Sequence, residues 1–449
     1  MRLYHPLSTF TYANLRPAVA MLTATTATLA ATFLPLPAQA LPPQVEWIKQ
    51  LGTSSDDNSS GVAVDSSGNV YISGYTYGDL AGTNKGEYDA WVAKYNSSGK
   101  LQWKQQLGSS GNDYSLGVTT DSSGNVYISG LTGGALAGTN KGNTDAWLAK
   151  YNSSGTLQWK QQLGSSLTDY SFGVATDSSG NVYISGWTTG ALAGKYKGGL
   201  DAWVAKYNSS GKLQWTKQLG TSENDDSYGV ATDSSGNVYI SGSTDGALAG
   251  TNKGGFDDAW VAKYNSSGKL LWKQQLGTSS GDKSQGIATD SNGNVYISGW
   301  TYGAFAGTNK GKTDAWVAKY NSSGKLQWKQ QLGTSMQDDS YSVAADSSGN
   351  VYISGFTDGP LAGTDKGDYD AWVAKYNSSG KLLWKQQLGS SLTDYSFGVA
   401  TDSSGNVYIS GFEGLYVADQ GDAFLAKYSQ ESQPYQRSRK PLKPLRQDR

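Results

Sequence analysis

DSSGNVYISG, residues 65–74, decides how this chain is read, because it keeps returning. It starts again at Asp121, Asp177, Asp233, Asp346 and Asp402, and once as DSNGNVYISG at Asp290. The seven copies are spaced by 56 residues at every step but one of 57, where GGFDDAW (254–260) carries one residue more than GGLDAW (198–203). A fixed period of this length means stacked or radially arranged units.

Within one unit, GVAVD (61–65) runs through a Ser-Ser-Gly turn into NVYISG (69–74), and a long loop leads to DAWVAKY (89–95). A second turn, NSSGK, then gives LQWKQQL (101–107). These segments alternate in polarity, are rich in Val, Ile, Tyr and Trp, and are bounded by Gly, Asn, Asp and Ser, which predicts four strands in two hairpins. No segment carries a helical apolar period.

Seven four-stranded units predict an all-β, seven-bladed β-propeller of antiparallel blades, in which radial repetition leaves only short, protected sheet edges. The chain ends support this. The Trp-bearing fourth strand recurs at Trp103, Trp159, Trp215, Trp272, Trp328 and Trp384, and also occurs before any complete unit, at Trp47 in VEWIKQL. No such strand follows the seventh third strand, AFLAKY (423–428), so the N-terminal strand is expected to close the last blade.

The DSSGNVYISG and DAWVAKYNSSGKLQW segments resemble the SBBP repeat, a bacterial seven-bladed propeller repeat, over nearly all of residues 45–428. The resemblance implies the fold and little about function, since similar repeats occur in many secreted or surface proteins of mostly unassigned role. Ala93, Ser98, Gly99, Lys100 and Trp103 are also similar to the tryptophan-docking motif of quinoprotein-type propellers. Tyr95 stands where that motif has Asp, and Ser98 where it has Thr. This similarity implies inter-blade packing by Trp103 and its equivalents, without a quinone cofactor.

Residues 1–40 read as a signal peptide: Arg2 and Arg16 precede an apolar run that ends at the small-residue site Ala38-Gln39-Ala40. Thr and Pro interrupt that run, so it falls short of a spanning helix. The expected mature protein is exported, to the periplasm, the cell surface or the exterior, with no transmembrane segment after cleavage. Residues 45–428 form the propeller, and residues 429–449, polar, Pro-bearing and basic, form a disordered tail. The chain has no Cys, so its stability is left to blade packing and ring closure. Net charge is −1, which gives no reason to expect nucleic acid. Asn-Ser-Ser at Asn96 and its equivalents is a formal glycosylation acceptor, but Asn-Ser-Ser-Gly is turn chemistry.

The strongest functional statement from sequence is an exclusion. The one His, His5, lies in the signal segment, so the mature chain has neither His nor Cys and no Ser-His-Asp, Cys-His, thiolate-zinc or His-haem site. Arg is confined to the signal and the tail, which removes the arginine cluster of a sialidase-like propeller. Paired carboxylates remain available for glycoside chemistry, but acids in near-identical repeats have near-identical environments, and acid–base work needs unlike ones.

Two features stand out on the face carrying the long, variable loops. The first is Asp-x-Ser at Asp57, Asp113, Asp169, Asp225, Asp282, Asp338 and Asp394. These seven carboxylates either ring the channel mouth and attract a cation such as calcium, or cap their own turns. The second is the residue after the Gly of each second strand: Tyr75, Leu131, Trp187, Ser243, Trp300, Phe356 and Phe412. Its aromatics either stack on a ligand or pack between blades. The resulting expectation is a monomeric, non-catalytic, exported binding module for a protein or glycan of the envelope or exterior, with no cofactor other than a possible calcium ion. A carbohydrate-active enzyme using Asp or Glu and a purely structural envelope protein are the rivals.

Overall fold

A computed structural model describes residues 42–415 and 420–429. The expectations for residues 1–40 and for the tail beyond Ser429 lie outside the described residues. Among those described, no helix is long and apolar enough to cross a membrane. The chain forms strands β1 (Gln44–Leu51), β2 (Asp57–Val64), β3 (Val70–Thr76), β4 (Asp89–Tyr95) and β5 (Leu101–Leu107), and the pattern continues through β26 (Thr393–Thr401), β27 (Val407–Leu415) and β28 (Gln420–Ser429). They make seven four-stranded antiparallel sheets, the first in order β2-β3-β4-β5 and the last in order β1-β28-β27-β26.

Closure therefore occurs as the sequence predicts. Trp47 pairs with Lys427 and Leu51 with Ala423, while Gln44 pairs with Ser429, one residue beyond the expected end of the propeller. Lys427 Nζ reaches Glu46 at 2.9 Å and donates to Ser97 O of the first blade at 3.3 Å, tying the last blade to the first.

The turns show why the repeat is written as it is. Asp65 Oδ1 accepts the N–H groups of Ser67 and Asn69, and Oδ2 accepts Asn69 Nδ2 at 2.8 Å and the Tyr71 hydroxyl at 2.9 Å. Gly68 closes the turn at φ 77°, a conformation that a Cβ would strain. Burial alone would raise the Asp65 carboxyl, but these bonds outweigh it and hold it below its ordinary value. In the second turn Asn96 Oδ1 accepts the N–H of Ser98 and of Lys100, so the formal glycosylation Asn serves the turn.

The cores lie between blades. Seven apolar clusters each span two neighbouring sheets; one joins Tyr71, Ala90 and Val92 of the first blade to Ile128, Trp147 and Ala149 of the second. Trp91, Trp147, Trp203, Trp260, Trp316 and Trp372 are fully buried, and Phe424 takes this place in the last blade. The outer tryptophans join blades differently. Trp103 Nε1 donates to Ser153 O of the next blade at 3.1 Å, and its indole covers Gly155, where a Cβ would lie 2.7 Å away. This is the inter-blade docking that the tryptophan motif implies.

Candidate functional site

The long loops are fixed to the blades from below. Gln106 Nε2 donates to Gly78 O at 3.1 Å and to Asp89 Oδ2 at 3.0 Å, and its Oε1 accepts Ala81 N–H at 2.8 Å. Gln162, Gln218, Gln275, Gln331 and Gln387 repeat the arrangement. The loop face is thus a set of varied sequences held on one repeated frame.

On that face the innermost strands of the first six blades begin at the Asp that sequence reading placed in a connection, and that of the last begins one residue before it, at Thr393. The seven carboxylates do not ring the channel. Asp57, Asp113, Asp169, Asp225, Asp282 and Asp338 are fully buried and Asp394 is 5% exposed, and each accepts hydrogen bonds within its own loop. Asp113 Oδ2 accepts Ser109 N–H at 2.6 Å and Ser109 Oγ at 2.8 Å; Asp225 Oδ1 accepts Thr244 Oγ1 at 2.6 Å. Burial pushes the Asp113 carboxyl up against these bonds, and Asp89 nearby adds to the rise. The physical reason for the difference is that the strand starts four residues earlier than its alternation suggests, so the Asp points into the blade. Among the described residues no three His, Cys, Asp or Glu gather to hold a metal.

Three residues further along, every innermost strand has a β-bulge; in the first blade it falls between Ser59 and Gly61. It recurs in the other six. Gly74 permits the close approach there, since a Cβ on it would lie 1.7 Å from Asn58 O. A bulge re-aims one side chain, and here that residue is Ser60, Leu116, Phe172, Tyr228, Gln285, Tyr341 and Phe397 in turn. With Asn58 and Tyr75 these residues line the channel mouth, a funnel of about 390 Å³. Below it the channel is tighter, lined by Gly61, Val62 and their equivalents. Sequence reading missed these seven positions. Their signal is present in the sequence, as a variable residue between a constant Ser and a nearly constant Gly, but the alternation that marks the strand begins only after it.

The predicted aromatics form a second, outer ring against this one. Tyr75, Trp187, Trp300 and Phe412 are half-buried and Phe356 is 5% exposed. Each faces a cross-strand partner: Tyr170 opposes Trp187 and Tyr395 opposes Phe412. Trp187 packs on Tyr170 at 4.2 Å, Tyr75 on Tyr114 at 4.7 Å and Phe356 on Tyr395 at 4.7 Å. The inner ring joins them through Phe172 with Trp187 at 6.5 Å and Tyr341 with Phe356 at 5.8 Å, and its own members meet as Phe172 with Tyr228 at 5.2 Å and Tyr341 with Phe397 at 5.4 Å. The collar is broken at the fourth blade, where Asp226 faces Ser243.

Comparison with known proteins agrees with the architecture. The beta-propeller repeat, SBBP, matches residues 46–81, 102–136, 158–192, 214–248, 271–306, 327–362 and 383–411. The chain is 22% identical over 430 residues to an uncharacterized WD repeat-containing protein of Acanthamoeba polyphaga mimivirus, covering 70% of this chain and 31% of that protein. It is 25% identical over 354 residues to the regulatory protein FlaEY of Caulobacter vibrioides, covering 68% and 36%. The chain thus spans about a third of the length of these relatives. Among solved structures, the polysaccharide lyase Uly1 is similar at 11% identity and a TM-score of 0.48, over 86% of this chain and 100% of the other. Seven matched repeats on seven described blades establish that the chain belongs to the SBBP family of β-propeller repeat proteins.

Proposed function

We propose that the chain is an exported, non-catalytic binding module that takes a segment of an envelope or extracellular protein at the aromatic mouth of its channel. One observation carries this reading. The residues that differ from blade to blade gather at the mouth and its loops, while the strands and the turns of the opposite face hardly change. A funnel lined by Tyr228, Tyr341, Phe172 and Phe397 offers the aromatic anchors on which binding energy concentrates. A protein segment fits it better than a glycan, because most ring faces of the outer collar are already covered by neighbouring rings. Export rests on the apolar run and small-residue site of residues 1–40.

The test is a screen of purified protein against envelope-derived peptide and glycan arrays, repeated with Tyr341→Ala and Phe397→Ala. A peptide ligand lost on these substitutions is the expected result. A ligand indifferent to both, or glycan hits alone, overturns the reading. One observation favours the carbohydrate-active alternative, the gathering of Asp226, Asp245 and Asp257 in the fourth blade at positions that vary from blade to blade. Release of reducing ends from a polysaccharide panel, abolished by Asp226→Asn, would establish it.

A further inference from the structure

The single irregular step in the repeat builds a local feature that no other blade has among the described residues. The fourth blade's loop carries one residue more, and its backbone absorbs it at Asp257, the one non-glycine residue among those described with positive φ, at 62°. Asp245 holds that turn by accepting Asp257 N–H at 2.9 Å. Two side chains are displaced as a result. Phe256 is sent outward and is 81% exposed, while its carbonyl and the 55% exposed Tyr302 both lie against Gly281. The Asp257 carboxylate turns inward to Lys283, at 3.3 Å.

Behind it lies Asp226, 6% exposed, whose Oδ1 is buried without a hydrogen-bond partner. Lys283, Asp257, Asp245 and Tyr228 are the titratable groups that face it. Lys283 is engaged by Asp257, so one cation is set against three carboxylates. A buried acceptor without a donor is costly to maintain, and a surplus of anionic charge beside aromatic faces is the arrangement that favours an ammonium or guanidinium group. Tyr228 hydrogen-bonds Asp226 and also lines the mouth, which links the acidic cluster to the funnel.

We propose that this sector is a cation subsite of the mouth, which receives a lysine or arginine side chain of the bound protein segment beside Tyr228, with Asp226 as its counter-charge. The inference rests on the reading of the mouth as a protein-binding site and adds to it the chemistry of the partner. Burial, with Asp257 and Asp245 adding and Lys283 opposing, pushes the Asp226 carboxyl up to about 6. Asp226 is therefore charged at neutral pH and takes up a proton in mild acid.

The experiment measures fluorescence anisotropy of a short labelled lysine peptide, with a matched glutamate peptide as control, on the wild type, Asp226→Asn and a deletion of Asp257. The deletion turns GGFDDAW into GGFDAW, the spacing of the third blade, so it is compatible with the fold. The expected result is binding of the lysine peptide alone, weakened about tenfold or more in both variants, as loss of one partner of a desolvated charge pair predicts. Wild-type binding should also fall as pH drops below about 6, and the Asp226→Asn variant should lack that dependence. Equal affinity in all three proteins, equal binding of the glutamate peptide, or no binding of the lysine peptide overturns the subsite. A ligand from the array screen that depends on Tyr341 but not on Asp226 would remove the cation subsite and leave the mouth reading standing.

Discussion

Replacing Trp47 with alanine tests whether the ring is truly closed by its first strand. Trp47 covers Gly99 of the first blade, where a Cβ would lie 3.0 Å from its indole, much as Trp103 covers Gly155. Both tryptophans are half-buried. If β1 is a full member of the seventh blade, the two indoles pack equivalently, and Trp103→Ala should lose only about 1 kcal/mol more, for the bond from its Nε1 to Ser153 O that the buried Trp47 Nε1 does not make. For half-buried indoles the lower end of the usual range applies, about 3 kcal/mol. At about 2.1 cal/mol/K per residue over roughly 380 residues, the unfolding entropy is about 0.8 kcal/mol/K, so Trp47→Ala should melt about 4 °C lower and Trp103→Ala slightly further. Differential scanning calorimetry of the parent, Trp47→Ala and Trp103→Ala reads this directly. A Trp47→Ala protein melting with the parent, while Trp103→Ala drops, would refute the closure argument, because it would make β1 an appendage.

Gly155→Ala forces a Cβ against the Trp103 indole at φ 85° and should lower the melting temperature by about 1–4 °C, the effect of roughly 1–3 kcal/mol of strain, with a red shift in tryptophan emission. Stability should rise from pH 7 to about pH 5. Asp226 and Asp394 are both pushed up to about 6 from an ordinary 3.8, so their contribution is complete below 3.8 and is lost as pH climbs through 6. In stronger acid stability should fall again, since Asp65, Asp121, Asp233 and Asp290 are held below their ordinary value. A melting profile flat between pH 5 and 7, or one unchanged by Asp394→Asn, would count against this assignment. Millimolar calcium should move the melting temperature by less than about 1 °C, because a ligand stabilises only through native-state binding and the ring carboxylates already serve their own loops. A rise of several degrees would return a cation to the Asp ring.

The repeat made the fold legible because a period with four alternating segments has few packed solutions, and the stray Trp47 strand told how the ring ends. The site was less legible, for reasons that lie in particular residues. Regular alternation begins only at Gly61, because the bulge between Ser59 and Gly61 breaks the period of two, and this hides Phe172, Tyr228, Tyr341 and Phe397 from a pattern reading. The recurrence of Asp57 and its equivalents fits a channel ring and a loop cap equally well, and only burial separates the two. The extra residue near Asp257 was visible as a step of 57, yet its meaning depends on Asp226 and Lys283, which reach it only through folding.

The pairing of Gln44 with Ser429 also carries a consequence for when the protein becomes folded. The first strand to leave the ribosome is the last to find its partners, because β28 must be made before the seventh blade can exist. At roughly 5–20 residues per second, synthesis of the intervening chain leaves that strand unpaired for tens of seconds. During this interval six blades can assemble as an open arc with an exposed edge at either end. The chain cannot lock into its final ring while its C-terminal blade is still being made. Completion of the circle then falls at the end of synthesis, as one late and long-range event.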